Sequence, residues 1–176
     1  MRKPRRLVRG ARYHVFARAN RKEMILDSAQ MKVLFLSVVE RAKMKYDFDV
    51  YNFCVMGNHF HLLVRPRNET SLSGLMQWIM SVFAMTWNRR HHLTGHVWGE
   101  RFFSRVIESL AAFLQVFASI DCDPVDAGKV EFSYQWHFGG LWHRRTGQGG
   151  IVGPSTLIEA LFPEHRMLML KAPDSH

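Results

Sequence analysis

Apolar positions recur along the chain with two different periods, and the changes of period mark the elements. From Arg12 to Ala19, Tyr13, Val15 and Ala17 alternate with His14, Phe16 and Arg18. That is strand spacing, and the apolar Phe16 on the second face predicts a strand covered on both sides or nearly so. Asp27 then predicts a helix start. Its carboxylate can cap free amides, and Gln30 stands three residues on, as a capping box requires. Leu34, Val38 and Ala42 keep helical spacing to about Lys45. Asp49 to Met56 is rich in aromatic and β-branched residues, a strand pattern. Gly57-Asn58 is a turn dipeptide, and His59 to Arg65 follows as a second strand, so the pair predicts an antiparallel hairpin ended by Pro66. Thr70 or Ser71 caps a long helix to about Arg90 that carries Leu75, Trp78, Ile79, Phe83 and Trp87. His91 to Gly95 reads as a loop and Val97 to Ile107 as a further strand. A last helix runs from Leu110 to about Cys122, with Leu110, Phe113, Leu114, Phe117 and Ile120 on its apolar side. Pro124 is expected to stop it.

Strands joined both by a hairpin and by helices predict an α+β fold, an antiparallel sheet with helices packed on it. Residues 1–130 form the expected core. Residues 131–176 are glycine-rich and irregular apart from a short helical pattern at Ser155 to Leu161, and read as a C-terminal tail packed on that core. The 176 residues suffice for one real hydrophobic core. No apolar run is long enough for a membrane span, and the basic start has no apolar stretch behind it to make a secretory signal. Cys54 and Cys122 are far apart and form no CxxC pair, so free thiols in a cytoplasmic protein are expected.

Charge changes the picture. The formal net charge is +9, with a pI of about 10.1. So large an excess points to a polyanion as partner. It is also clustered: Arg2, Lys3, Arg5, Arg6, Arg9 and Arg12 stand in a start that holds no acid, and Arg89 and Arg90 precede two histidines.

The candidate chemistry lies in Val55-Met56-Gly57-Asn58-His59-Phe60-His61-Leu62-Leu63-Val64. Two histidines two apart on a strand project from one face. Their imidazoles can bind one divalent cation, while Phe60, Leu62 and Val64 turn to the core. An ion held there would polarise a phosphate and stabilise the charge developing on it. A bare His-x-His spacing also arises on ordinary surfaces, so spacing alone does not decide.

The wider context does more. This run resembles the His-hydrophobic-His motif of single-tyrosine transposases of the IS200-like and REP-associated groups. Tyr13-His14-Val15 with Arg18 and Asn20-Arg21 resembles the family's first strand and turn. Gly95-His96-Val97-Trp98 with Arg101-Phe102 resembles a later landmark. Asp123-Pro124-Val125-Asp126-Ala127-Gly128 is similar to its Asn-Pro-Val-x-Ala-Gly segment. These landmarks occur in order over residues 12–130. The resemblance implies a ferredoxin-like, RRM-like nuclease core that binds single-stranded or hairpin DNA. It implies that a tyrosine on the last core helix attacks a phosphodiester, forming a 5′-phosphotyrosine and releasing a 3′-hydroxyl, assisted by Mg²⁺ or Mn²⁺. It further implies a third metal ligand one helical turn after the nucleophile, here Asp123 beside His59 and His61.

The chain departs from the pattern where the nucleophile should stand. Five residues before Pro124 is Ser119, and the four tyrosines, Tyr13, Tyr46, Tyr51 and Tyr134, all lie outside this helix. Asp123 replaces the family's asparagine. Gln115, Ser119 and Asp123 share one face at i, i+4 and i+8. Three readings follow: a protein that binds DNA without nicking it, a nucleophile supplied by Tyr134 from the tail, or attack by Ser119 or by water. A serine hydroxyl is a poor nucleophile without a base and reaches roughly 4–5 Å less far than a tyrosine's.

For DNA contacts the sequence offers the arm residues Arg2, Lys3, Arg5 and Arg6 and the helix-end Arg89 and Arg90. It also offers Arg101 and Arg105 on one strand face, and Trp98 as a base-stacking or core residue. Monomer and homodimer are both compatible with these features. A regulatory DNA-binding protein without chemistry is the competing class.

Overall fold

The strands of the computed structural model form one antiparallel sheet in the order β2-β3-β1-β4. The structure describes residues 8–147 and 150–153. The arm residues Arg2, Lys3, Arg5 and Arg6 and the helical pattern at Ser155 to Leu161 lie outside the described residues. In chain order the elements are β1 (Arg12–Arg18), α1 (Ala29–Lys45), β2 (Phe48–Val55), β3 (His59–Pro66), α2 (Leu72–His91), β4 (Phe103–Ile107), α3 (Leu110–Asp126) and α4 (Gly140–Thr146). This is the expected α+β architecture. No helix among the described residues is long and apolar enough to cross a membrane.

Strand alternation divides the core in two. Val15, Phe60, Leu62 and Val64 face α1 and α2, where they meet Phe35, Val38, Val39, Leu75, Ile79 and Phe83. Phe35 packs on Phe60 at 4.5 Å between ring centroids, and emptying such a fully buried site costs about 3–5 kcal/mol. On the opposite face Cys54 and Leu63 pack with Phe113, Phe117 and Ile120 of α3. That helix lies mainly over β2, so β1 and β4 keep their second face largely open. Phe16 is therefore half-buried rather than enclosed.

A buried polar junction fixes where α3 lies. The β2–β3 register shifts between Val50 and Asn52, and Asn52 is fully buried. Its amide donates to Phe117 O at 3.0 Å and to Asp121 Oδ1 at 2.9 Å. Arg144 of α4 donates to Tyr51 O at 2.7 Å and to Asn52 Oδ1 at 3.0 Å. A Cβ on Gly140 would stand 2.1 Å from Asn52 Oδ1, so only glycine lets α4 come this close. Strand β2, α3 and the segment after α3 are thus locked together through the linked side chains of Asn52, Asp121 and Arg144.

Element boundaries depart from the sequence reading in four places. Ser28, not Asp27, caps α1 by accepting from Met31 N. Residues 97–102 all precede β4. Val97 and Phe102 are apolar because the loop buries them, not because they sit on a pleat. Pro124 lies inside α3, which continues one turn beyond the expected stop to Asp126 although the proline gives up the i−4 hydrogen bond to Ile120 O. Leu110, expected on the apolar side, is 53% exposed, since α3 begins beyond the edge of the sheet layer it covers.

Candidate active site

The turn before β3 sets the first part of the site. The Met24 side chain and Asp27 Oδ1 pack against Gly57, 2.4 Å and 2.9 Å from where a Cβ would stand, so a larger residue there would displace both side chains. Met56 N donates to His59 O at 2.9 Å to close the turn. His59 and His61 then point together toward the α3 side, and the last turns of α3 bring Asp123 to them. Ligand atoms of His59, His61 and Asp123 all lie within 4.8 Å of one another. Asp123 Oδ2 is 3.1 Å from His59 Nε2 and 3.7 Å from His61 Nε2.

Hydrogen bonds behind the rings orient them. His59 Nδ1 is 2.7 Å from Asn58 Oδ1, an acceptor, so Nδ1 carries the proton. The neutral ring then presents a lone pair at Nε2 to a carboxylate oxygen. Two lone pairs at 3.1 Å need a cation between them, either a proton on the ring or a metal ion. His61 Nδ1 is 2.8 Å from His14 Nε2, the backing expected when the other ring nitrogen serves as ligand. Burial, then the neighbouring His14, pushes His61 down to about 4. Burial, then Arg105, also lowers His14. Above that range His61 is neutral, the form that binds metal. Burial alone would raise the Asp123 carboxyl, but the His59 hydrogen bond and the charges around it hold it below the usual range. An acid in the last turn of a helix opposes the dipole, which a cation here would offset. The donor set of two neutral imidazoles and one carboxylate suits a divalent ion with open positions.

Ser119 is exposed on α3, one turn before Asp123, about 6 Å along the axis. Gln115 is exposed one turn earlier, so the expected helix face exists. The tyrosines are engaged elsewhere. Tyr13 donates to Val8 O at 2.9 Å. Tyr46 packs on Trp78 and Tyr51 on Phe113. Tyr134 stacks with Phe132 at 5.5 Å and lies under the Arg145 guanidinium at 4.5 Å.

Beside the trio lies the open face of β1 and β4. Register pairs Phe16 with Phe103 and His14 with Arg105. The Phe16 ring is 4.9 Å from that of His61, Arg18 lies over Phe16 at 5.4 Å, and Phe103 is 58% exposed. An aromatic strip flanked by arginines therefore runs from the histidines to the sheet edge. Of the sequence-predicted contacts among the described residues, only Arg105 belongs to it. Arg101 precedes β4 and lines a cleft on the α2 side, because strand alternation does not extend back to it. Trp98 is a core residue: its Nε1 donates to Met80 O at 2.9 Å, and its ring meets Phe35, Phe60 and Phe83. Arg89 and Arg90 end α2, in the helix layer on the opposite face of the sheet. Asn58, His14, Phe16, Arg18 and Phe103 were missed by sequence reasoning. The alternation phase fixed by His59 and His61 would have found His14, Phe16 and Arg18 on the matching face of β1.

The family model described as "Transposase IS200 like" matches residues 7–113, a span that contains both histidines and ends before Ser119. No curated protein matches the chain. Among solved structures, a REP-associated tyrosine transposase described as bound to a REP hairpin aligns with TM-score 0.69 at 19% identity, covering 89% of this chain and 96% of that one. A provisionally assigned transposase from Deinococcus radiodurans aligns at TM-score 0.49 and 15% identity, covering 69% and 96%.

Proposed function

Because the chain belongs to the IS200-like transposase family, we propose that it binds repeat-end DNA, a hairpin with adjoining single strand, at the site built by His59, His61 and Asp123, and that it has lost strand transfer through a tyrosine. The convergence of those three side chains on one point, one helical turn from a serine, carries this reading. The hairpin-bound solved structure with the same fold supports the choice of DNA.

His59 Nε2, His61 Nε2 and Asp123 Oδ2 would hold Mg²⁺ or Mn²⁺, which when bound supplies charge stabilisation at a phosphate. The chain's own groups do the rest. Asn58 and His14 keep the imidazole lone pairs aimed inward. Arg105 and Arg18 offer cations to the flanking phosphates, and Phe16 and Phe103 offer faces to unpaired bases. The arm residues Arg2, Lys3, Arg5 and Arg6 add sequence-independent attraction. Residues 1–130 supply the binding core, with 131–176 as its tail. The Ser119 hydroxyl falls short of a phosphate that a tyrosine would reach, and no base activates it among its described contacts.

The test is binding of labelled hairpin DNA with a single-stranded tail, followed by denaturation in Mn²⁺. Binding that weakens steeply with salt, and no covalent adduct, are expected. An adduct lost in Ser119→Ala would return the serine to catalysis. One lost only in Tyr134→Phe would move the nucleophile to the tail. Cleaved product without adduct would make water the attacking group.

A further inference from the structure

A second recess lies on the other face of the sheet, and the metal centre makes no use of it. It is a cleft of about 580 Å³ between α2 and residues 95–102. Its α2 wall carries Ser73, Gln77 and Ser81, spaced i, i+4 and i+8, so one polar stripe faces inward. His96 and Arg101 stand on the loop wall. The floor is apolar, with Trp98, Phe102 and Met80. None of the lining residues is acidic. The floor is also rigid: the hydrogen bond to Met80 O and three aromatic neighbours hold Trp98, and Phe102 is buried. A flat apolar floor, a rim of amide, hydroxyl and imidazole groups and one guanidinium together match a nucleobase with its attached phosphate.

The backbone connects this cleft to the first site. Gly99 N donates to Arg18 O at 3.1 Å and Asn20 N to Val97 O at 2.9 Å, while Arg18 is paired with His59 across β1 and β3. The loop wall thus continues the sheet two strand positions from His59, about 10 Å away. Resting on the DNA-binding reading above, the geometry points to this cleft as the receptor for one unpaired nucleotide of the bound DNA, taken out of the stack around the sheet end. This gives the Gly95-His96-Val97-Trp98 landmark and Arg101 a role that the metal centre does not supply.

The test uses the full chain and a set of tailed hairpins, each with one unpaired nucleotide made abasic, with affinity read by fluorescence anisotropy. One position besides those stacked on Phe16 and Phe103 is expected to cost about ten-fold, the effect of losing a stacked base. Ser81→Trp, an exposed position whose new ring fills the cleft, is expected to bind the intact hairpin about ten-fold more weakly and to show no further loss at that position. Gln77→Ala, which cannot disturb packing, is expected to reduce the same positional penalty. Unchanged melting temperature and Mn²⁺ affinity would show that the variants keep their fold and first site. Parent protein that binds hairpins but shows no positional penalty, or Ser81→Trp that keeps the full penalty, overturns the inference alone. Parent protein that binds no hairpin overturns the DNA-binding reading and the inference with it. Tight binding of free deoxynucleoside monophosphates without a positional penalty would assign the cleft to a soluble nucleotide and overturn its assignment to DNA.

Discussion

His59 Nε2 faces Asp123 Oδ2 at 3.1 Å across the junction of β3 and α3. The proton on the far side of the ring is held by Asn58 Oδ1 at 2.7 Å. A ring proton or a metal ion between the two atoms accounts for this distance. That geometry lets the carboxylate join the two imidazoles in the proposed cation site.

The backing hydrogen bonds should be measurable in metal affinity. Asn58→Ala is expected to weaken Mn²⁺ binding about 10–100-fold, as for other groups that orient a ligand from behind, with the fold intact because Asn58 is half-exposed. Asp123→Ala should weaken it further. Calorimetry or the Mn²⁺ paramagnetic signal reads both. Saturating Mn²⁺ at 100 times its Kd should stabilise the parent by about 2.7 kcal/mol. Equal affinity in parent and Asn58→Ala would remove the asparagine from the site.

Two buried groups give the metal-free protein opposing pH dependences. His61 is lowered to about 4 by burial. Between there and its ordinary value near 6.5 the unfolded chain binds more protons, so its contribution makes stability rise with pH. Asp121 is raised to about 6 by burial. Between about 4 and 6 the folded chain binds more protons, so its contribution makes stability fall. Each amounts to about 3 kcal/mol at most, and they offset one another. In urea titrations with chelator, Asp121→Asn should therefore gain stability relative to the parent from pH 4 to 6. A constant difference across that range would deny the buried carboxyl its shift.

Phe103 and Arg105 should separate base stacking from charge. Phe103→Ala, at a 58% exposed position, is expected to leave the melting temperature unchanged. It should weaken binding of single-stranded tails about ten-fold, with no loss for a blunt hairpin. Arg105→Ala should reduce the salt slope of binding by about 1 without altering base preference. Anisotropy titrations at several salt concentrations read both. Equal losses for tailed and blunt DNA in Phe103→Ala would place the duplex, not the strand, on this face.

The sequence carries the histidine pair plainly, because strand period is two and both side chains must share a face. Asp123 follows only once a helix is aligned against that strand, which periodicity within α3 cannot supply and the family resemblance did. Helices α1 and α2 were legible to within a residue or two, and α3 at its start but not at its end, one turn past the expected stop. Residues 97–102 were misread since Val97, Trp98 and Phe102 are apolar to fill a loop-covered core, and a loop core mimics a strand. Asn58 looked like a turn former and nothing more. The Asn52–Asp121–Arg144 junction joins Asn52 to residues 69 and 92 positions further on, and no local pattern announces it.

The proposed site lacks only its nucleophile, and Ser119→Tyr tests this most directly. Labelled tailed hairpin is incubated with Mn²⁺ and the products are denatured. Ser119→Tyr is expected to give a covalent protein–DNA adduct that disappears on adding His59→Ala, while the parent gives none. An adduct formed by the parent, or a folded, DNA-binding Ser119→Tyr that forms none, would contradict it.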